Sequence, residues 1–188
     1  MIEALDGVGK TSTSKEFANK IGGTYLPTHT AEYEEFKPRI KEDGVSLESK
    51  LLAYLTSNSI RSDYIRDELK QGNDIVMDRF YHSTLAFHYA KSGEEPVEHL
   101  DLIERFNIVK PDMTIYLEVD EDERLRRIDE RDEQGHIFET DTDFMMEVDD
   151  AYRQIVDDED NAVVLEAVGG VENVVDQAYE LSRLGDKL

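Results

Sequence analysis

The stretch Ala4–Thr11, ALDGVGKT, stands near the start of the chain and fits the pattern of a phosphate-binding loop, in which an alanine or glycine is followed after four residues by Gly-Lys-Thr or Gly-Lys-Ser. In such a loop, glycines let backbone N–H groups turn towards phosphate oxygens, a lysine reaches the outer phosphates, and a hydroxyl contacts a magnesium ion. The loop connects a strand to a helix. The sequence therefore predicts a strand at residues 2–5 and a helix from Lys10 to about Ile21.

Further along the chain, strand-like and helix-like patterns alternate, which is typical of a parallel sheet covered by helices. We expect an α/β, three-layer P-loop NTPase fold with about five parallel strands, forming one domain over residues 1–188 with a short lid at about 129–142. The remaining predicted strands cover residues 24–26, 75–77, 114–119 and 162–165. The remaining predicted helices cover residues 46–70, 84–90, 97–106, 121–131, 143–156 and 171–184.

The strand before the loop is short. Only Met1, Ile2 and Glu3 precede Ala4, whereas strands are typically ~5–6 residues long and the one before such a loop is central. We expect either that the natural chain starts several residues upstream or that part of the central strand is given up.

The composition is strongly acidic. Asp and Glu number 44 against 21 Lys and Arg, which gives a formal charge of −23. This charge repels nucleic acids and anionic membranes, so neither is expected as a partner. It suits a protein that works at high salt, as in a halophilic archaeon, because ions screen the self-repulsion. An ordinary acidic cytosolic protein is the alternative.

Cysteine is absent from the chain, so the sequence predicts neither disulfides nor a cysteine-based metal site. The purely apolar runs are only a few residues long, so we expect no signal peptide and no membrane-spanning helix. A soluble, cytoplasmic protein is the expectation.

An acidic residue follows the predicted strand at 75–77. Asp78 would lie at the carboxyl end of that strand, where α/β sheets bind their ligands, and it can help position magnesium. Arg79 comes next and can hold a phosphate with two parallel hydrogen bonds. Local caps and salt bridges are the alternative interpretation of this pair. A GTPase is disfavoured, since the segment at residues 19–22, NKIG, lacks the aspartate of a guanine-reading motif.

Three segments in the same order make the sequence resemble the thymidylate kinase family over nearly its whole length. They are IEALDGVGKTS at residues 2–12, DRFYHSTLAF at residues 78–87 and PDMTIYLEV at residues 111–119. The resemblance implies a kinase that uses ATP and Mg²⁺ to phosphorylate a nucleoside monophosphate, with dTMP as the leading acceptor. It also implies a homodimer.

The resemblance implies roles for individual residues. Asp6 would accept a hydrogen bond from the sugar 3′-hydroxyl of the acceptor, Lys10 would bridge the β- and γ-phosphates, and Arg79 would hold the acceptor phosphate. Thr11 would bind magnesium directly and Asp78 through water. The expected ATP-binding residues are Asp6, Gly7, Val8, Gly9, Lys10, Thr11, Ser12, Arg127 and Arg131. The expected acceptor-binding residues are Asp6, Pro27, His29, Tyr54, Asn58, Arg79, Ser83, Thr84 and Phe87.

The base pocket departs from the family pattern. An aromatic residue four positions before an arginine is usual on the long helix, to stack on and read the pyrimidine. Here the two positions hold Tyr54 and Asn58, with Arg61 one turn later. Asn58 can still donate and accept hydrogen bonds, and Tyr54 as a core residue is the alternative. His29 stands where a phosphate-binding arginine is common, although a lone loop histidine often only faces solvent.

Four arginines cluster near the expected lid, at positions 124, 126, 127 and 131. One branch of the family carries an arginine in the loop where this chain has Gly7, so a lid could supply the missing charge. Acidic residues interleave with these arginines, so a solvated helix with i,i+4 ion pairs explains the cluster equally well. His136 stands where the family often has its lid arginine.

Two other functions stay open at this point. One is a related kinase for another pyrimidine nucleotide or a deoxynucleoside. The other is a regulatory nucleotide-binding protein that kept the loop but lost efficient phosphoryl transfer.

Overall fold

Five short parallel strands form the centre of the protein in a computed structural model that describes residues 1–27, 31–40, 42, 44–95, 99–130 and 141–185. They are β1 Ile2–Ala4, β2 Thr24–Leu26, β3 Ile75–Met77, β4 Thr114–Glu118 and β5 Ala162–Glu166. β1 pairs with β4 and β4 with β5, while β2 pairs with β3. A parallel bridge between Ile2 and Asp78 joins the two groups. The residues that follow β3, from Asp78 onwards, therefore run beside β1.

Helices flank these strands, as the α/β prediction requires. Those described are α1 Lys10–Ile21, α2 Ala31–Ile40, α3 Leu47–Lys70, α4 Tyr81–Ser92, α5 Asp101–Arg105, α6 Glu121–Asp129, α7 Thr142–Asp158 and α8 Val171–Gly185. α1 packs against α8, and α4 packs against α3 and α7. The predicted P-loop α/β fold class is confirmed.

Local signals explain the helix bounds that were predicted well. Gly22 ends α1 with φ 71°, in the left-handed region that glycine adopts without strain. Ser46 begins α3 by accepting a hydrogen bond from the backbone N–H of Ser49 at 3.2 Å, which satisfies one of the free N–H groups of the first turn.

Two helix predictions were wrong in extent, and one helix was missed. α4 begins at Tyr81 instead of residue 84, since the N–H of Phe80 is already satisfied by the Glu3 carboxylate at 2.7 Å. α5 covers five residues of the predicted 97–106, part of which lies outside the described residues. α2, which contains Pro38, was not predicted at all.

Apolar side chains from the strands and the helices form one core. β1 and β4 are fully buried at Ile2, Ala4 and Leu117, which explains their nearly continuous apolar sequence. Glu3 is also fully buried, in the middle of β1. Among the described residues, no helix combines the length and the hydropathy that a membrane crossing needs.

Candidate active site

The loop between β1 and α1 has the backbone that its glycines predict. Gly7 and Gly9 have φ values of 96° and 106°, which residues with a side chain rarely adopt. A Cβ on Gly7 would also stand 2.9 Å from both the Cγ atom and the carbonyl oxygen of Arg124. The loop is thus packed against α6, and this backbone leaves no room for an arginine at position 7.

The other loop residues frame the first turn of α1. Val8 is buried, whereas the side chain of Ser12 is exposed on the helix. Lys10 is 7% exposed, and its Nζ lies 3.7 Å from Oδ1 of Asp6. Burial lowers the pKa of Lys10, and the neighbouring Arg79 lowers it further. The loop thus holds a cation whose surroundings do not fully compensate it, which favours the binding of an anion there.

Thr11 and Asp78 meet across the ends of α1 and β3. The Thr11 hydroxyl donates to Oδ2 of Asp78 at 2.7 Å, and the hydroxyl of Tyr25 donates to the same oxygen at 3.2 Å. The other oxygen, Oδ1, is buried and has no hydrogen-bond partner within the described part of the chain. Burial and Asp78 raise the pKa of Tyr25 to about 12. A hydroxyl beside a carboxylate with a spare oxygen is a donor set that fits Mg²⁺ and its bound waters.

Arg79 lies between the loop and the helices α4 and α7. Its guanidinium donates to Oδ1 of Asp6 at 2.6 Å, to the Ser83 hydroxyl at 3.2 Å and to the Tyr152 hydroxyl at 3.1 Å. Its backbone has φ 66°, a strained value for a residue with a side chain, and such strain clusters at functional sites. Burial opposes its charge, but Asp6, Tyr152 and Glu3 raise the pKa of Arg79 above its ordinary value. Arg79 is therefore a fixed, permanent cation.

Glu3 binds two of the partners of Arg79, and the sequence alone did not indicate this role. Its carboxylate accepts hydrogen bonds from Ser83 at 2.7 Å, from Tyr152 at 3.1 Å and from the backbone of Phe80. The signal that could have revealed it is a charged residue inside an otherwise apolar strand, IEAL. Tyr152, 149 positions away, carried no comparable signal.

The side chains predicted for the acceptor lie in two groups. The first surrounds Arg79: its guanidinium carbon stands 5.7 Å from the ring centre of Phe87, and Ser83 is hydrogen-bonded to it. In the second, the amide of Asn58 donates to the Thr84 hydroxyl at 3.1 Å. The structure thus brings together α3, α4 and the phosphate-binding loop at the carboxyl edge of the sheet.

Two further α3 residues have protein partners. Tyr54, half-buried, accepts a hydrogen bond from the hydroxyl of Tyr33 at 3.2 Å, and the two rings lie 5.6 Å apart. Arg61 is buried and donates to the carbonyl oxygen of Pro27 and weakly to the sulfur of Met77. Burial lowers the pKa of Arg61 to about 10. Arg61 therefore ties α3 to the end of β2, which carries the exposed Pro27.

The arginines of α6 divide into two kinds. Arg124 is fully buried, donates to the carbonyl of Asp6 at 3.0 Å and pairs with Glu121. Arg127 donates to the carbonyl of Val8 at 2.7 Å and to that of Ala167 at 3.0 Å. Both hold the loop backbone.

Arg126 instead pairs with Glu123 and Glu130 on the exposed side of α6. Among the described arginines, the i,i+4 ion pairs of the solvated-helix interpretation are present at Arg126 with Glu130 and at Arg127 with Glu123. Arg131, His29, His136 and most of the predicted lid lie outside the described residues.

Comparison with known proteins gives a consistent result. The family model described as thymidylate kinase matches residues 2–178 of the chain. A thymidylate kinase of Francisella tularensis subsp. novicida is 28% identical over 193 residues, covering 95% of this chain and 92% of the relative. A probable thymidylate kinase of Methanocaldococcus jannaschii is 29% identical over 178 residues, covering 93% and 89%.

A solved structure has the same fold. The thymidylate kinase of Candida albicans superimposes with a TM-score of 0.75 over 98% of this chain and 90% of its own, at 21% sequence identity.

Proposed function

The chain belongs to the thymidylate kinase family and transfers a phosphoryl group from ATP to dTMP, and we propose that the residues around Asp6, Lys10 and Arg79 carry out this transfer. The observation that carries the assignment of these residues is the close approach of two buried cations to one carboxylate. Lys10 comes from the end of the loop, and Arg79 from the segment that follows β3. Two anionic substrates need such a pair of cations.

The donor side uses the loop and its helix. The N–H groups of residues Gly7 to Thr11 and the N-terminus of α1 bind the ATP phosphates, and Lys10 neutralises charge that develops as the γ-phosphoryl group leaves. Ser12 follows on the same turn. Arg124 and Arg127 keep the loop open by binding its carbonyl oxygens, so that its N–H groups stay directed at the phosphates. Arg127 is also close enough to Gly9 to serve as the predicted ATP contact.

The acceptor side uses Arg79 as a phosphate clamp. The guanidinium is held in place by Ser83 and Tyr152, so it meets the dTMP phosphate without a search among rotamers. In the free protein, the guanidinium of Arg79 donates a hydrogen bond to Asp6. When dTMP binds, its phosphate replaces Asp6 as the partner of Arg79, and the Asp6 carboxylate can accept a hydrogen bond from the sugar 3′-hydroxyl. Asn58, Thr84 and Phe87 line the way to the base, with Tyr54, Pro27 and His29 as further proposed contacts.

Magnesium fits the pair formed by Thr11 and Asp78. Thr11 would bind the ion, and the spare buried oxygen of Asp78 would accept a hydrogen bond from one of its waters. Bound there, Mg²⁺ neutralises charge on the transferring phosphates. We place the reaction in the cytoplasm, where both nucleotides are found.

The acceptor assignment is tested by ADP release with dTMP, dUMP, UMP, CMP and thymidine at fixed Mg-ATP. We expect dTMP to give the highest kcat/KM, and EDTA to abolish the reaction. A higher kcat/KM with another nucleotide would mean that the protein is a kinase for that nucleotide instead of dTMP. ATP binding without ADP release for any acceptor would indicate a regulatory nucleotide-binding protein.

We propose that the enzyme is a homodimer that pairs through α3. Leu52, Thr56, Ile60 and Tyr64 follow one another at intervals of four along this helix, so they form one exposed ridge. The exposed fractions of Leu52, Ile60 and Tyr64 are 49%, 54% and 48%. An apolar ridge of this length on a helix is stabilised by a second apolar surface.

Light scattering in molar KCl should give twice the mass of one chain. Ile60→Lys should reduce that mass to one chain, because a charge would be buried in the interface. Met146→Lys is the matched control, since Met146 is a 60% exposed apolar residue on α7. A monomeric parent protein, or a dimer that survives Ile60→Lys, would contradict pairing through this ridge.

We propose that the acidic surface is an adaptation to high salt. The Debye length is about 30 Å at 0.01 M salt and about 3 Å at 1 M, so the charge of −23 acts across the whole molecule only at low salt. There it destabilises the fold and repels ATP and dTMP.

Melting temperature and kcat/KM should therefore both rise from low to molar KCl. In an ordinary acidic kinase, screening of the phosphate contacts would lower kcat/KM instead. A steady decline of both quantities from 0.05 M upward would refute the high-salt proposal.

A further inference from the structure

Three side chains that take no part in the kinase site converge beyond the end of α4. The Nε2 atom of His88 lies 3.2 Å from Oε2 of Glu94, and the Nε2 atom of His99 lies 2.9 Å from the same oxygen. The potential ligand atoms of all three residues lie within 4.8 Å of one another. Two imidazole nitrogens and one carboxylate oxygen therefore face one point.

These distances are close to those of a metal site. In a tetrahedral zinc centre with bonds of ~2.0–2.1 Å, neighbouring ligand atoms stand about 3.3 Å apart. The separations of 3.2 Å and 2.9 Å between Glu94 and the two imidazole nitrogens need to open by only a few tenths of an ångström, while the two nitrogens lie within 4.8 Å of each other. Rotation of the three side chains is the adjustment that a metal ion requires.

The local backbone explains why the three residues meet. His88 is on the last turns of α4, and Gly93 ends this helix with φ 74°, so the chain turns back and brings Glu94 over the helix. His99 comes just before Leu100, the N-cap of α5. The cluster therefore connects the end of one helix to the start of the next.

The exposure of the three residues suits a site that can be filled from solvent. His88 is 7% exposed, and the side chains of His99 and Glu94 are 21% and 49% exposed. One ligand is thus fixed in the core and the others reach the surface, which gives a metal ion an entry path and leaves a position for water.

The electrostatics favour a cation at this point. The Glu94 carboxylate stands within 3.2 Å of both imidazole nitrogens and supplies a negative charge there. Glu48, on the first turn of α3, also interacts with His88. Imidazole ligands favour Zn²⁺, Co²⁺ and similar ions, whereas Mg²⁺ and Ca²⁺ prefer oxygen ligands throughout. The cluster is therefore chemically different from the Thr11–Asp78 pair.

We propose that His88, Glu94 and His99 form a structural binding site for Zn²⁺ or a similar transition-metal ion, which links α4 to α5. The site shares no residue with the acceptor site but lies next to it. His88 follows Thr84 by four residues, which places it one turn further along the same face of α4. Binding there stabilises the folded chain.

Calorimetric titration of the nucleotide-free protein with ZnCl₂ tests the proposal. We expect one Zn²⁺ per chain, and an intense visible absorption when Co²⁺ binds in its place, as tetrahedral coordination produces. His99→Ala and Glu94→Gln should each weaken Zn²⁺ binding by at least ~10-fold. Glu95→Gln removes the same charge from the neighbouring exposed residue and should bind Zn²⁺ like the parent. Zinc should also raise the melting temperature of the parent and of Glu95→Gln, but not that of the other two variants.

Three results would overturn the proposal. They are absence of Zn²⁺ binding, Zn²⁺ binding no tighter than that of Mg²⁺, and equal Zn²⁺ affinity in the parent, His99→Ala and Glu94→Gln. The second would indicate general attraction to the acidic surface. The third would indicate another of the five histidines. Kinase activity at saturating Mg²⁺ should be the same in Glu94→Gln and the parent, which keeps this test independent of the proposed catalytic residues.

Discussion

Lys10→Ala is expected to lower turnover at least ~100-fold, since one preorganised charge at the transferring group commonly contributes a few kcal/mol to the transition state. Lys10 is buried within the loop, 3.7 Å from Asp6, and a water molecule that filled its place would bring no charge. Lys10→Met keeps most of the side-chain length, so it separates loss of charge from loss of packing. Both variants should lose turnover to a similar extent.

The free protein should remain folded in these variants. Burial and Arg79 both lower the pKa of Lys10, so its charge does not stabilise the empty site, and Asp6 keeps its contact with Arg79. We expect the melting temperature without nucleotide to stay close to that of the parent. Lys20→Ala is the matched control, because Lys20 is on the same helix but pairs with Asp176 at the surface. Turnover by Lys10→Ala equal to that of Lys20→Ala would remove the phosphate-binding role of the loop.

Local signals account for what the sequence predicts correctly. The loop pattern predicts where β1 ends and that α1 starts near Lys10. The position of Asp78 and Arg79 just after a predicted strand is enough to make them candidate site residues. Both predictions depend only on residues that are close together in the chain. The bridge between Ile2 and Asp78 brings the loop residues close to Asp78 and Arg79, and it is a consequence of the parallel topology.

The support of Arg79 could not be predicted, because its parts are far apart in the chain. Glu3 and Tyr152 are separated by 149 positions and meet only through packing of β1 and α7. The sequence did contain a signal that separates the buried arginines of α6 from the exposed one. Arg124, Arg127 and Ile128 follow at i, i+3 and i+4, which places the two arginines on the buried face of the helix and Arg126 on another.

Arg79→Ala is expected to lower kcat/KM for dTMP about 1000-fold, because a cation that orients and neutralises a phosphate acts in both binding and the transition state. Arg79→Lys should recover only part of this loss. Lysine keeps the charge, but one ammonium group cannot contact Asp6, Ser83 and Tyr152 in the geometry of the guanidinium fork. The measurement is steady-state ADP release over a range of dTMP concentrations.

A comparison of ligands separates this role from a structural one. Glu3 is buried beside Arg79, so removal of the guanidinium also destabilises the protein, and lower activity alone would be ambiguous. Thymidine has the base and sugar of dTMP but no phosphate. If Arg79 holds the phosphate, Arg79→Lys weakens binding of dTMP and leaves that of thymidine unchanged, so the ratio of the two dissociation constants changes.

Tyr152→Phe removes one partner of Arg79 without removing its charge, and it should leave that ratio close to the value in the parent. Equal weakening of both ligands in Arg79→Lys would mean that Arg79 only supports the fold around Glu3, and that another residue binds the acceptor phosphate.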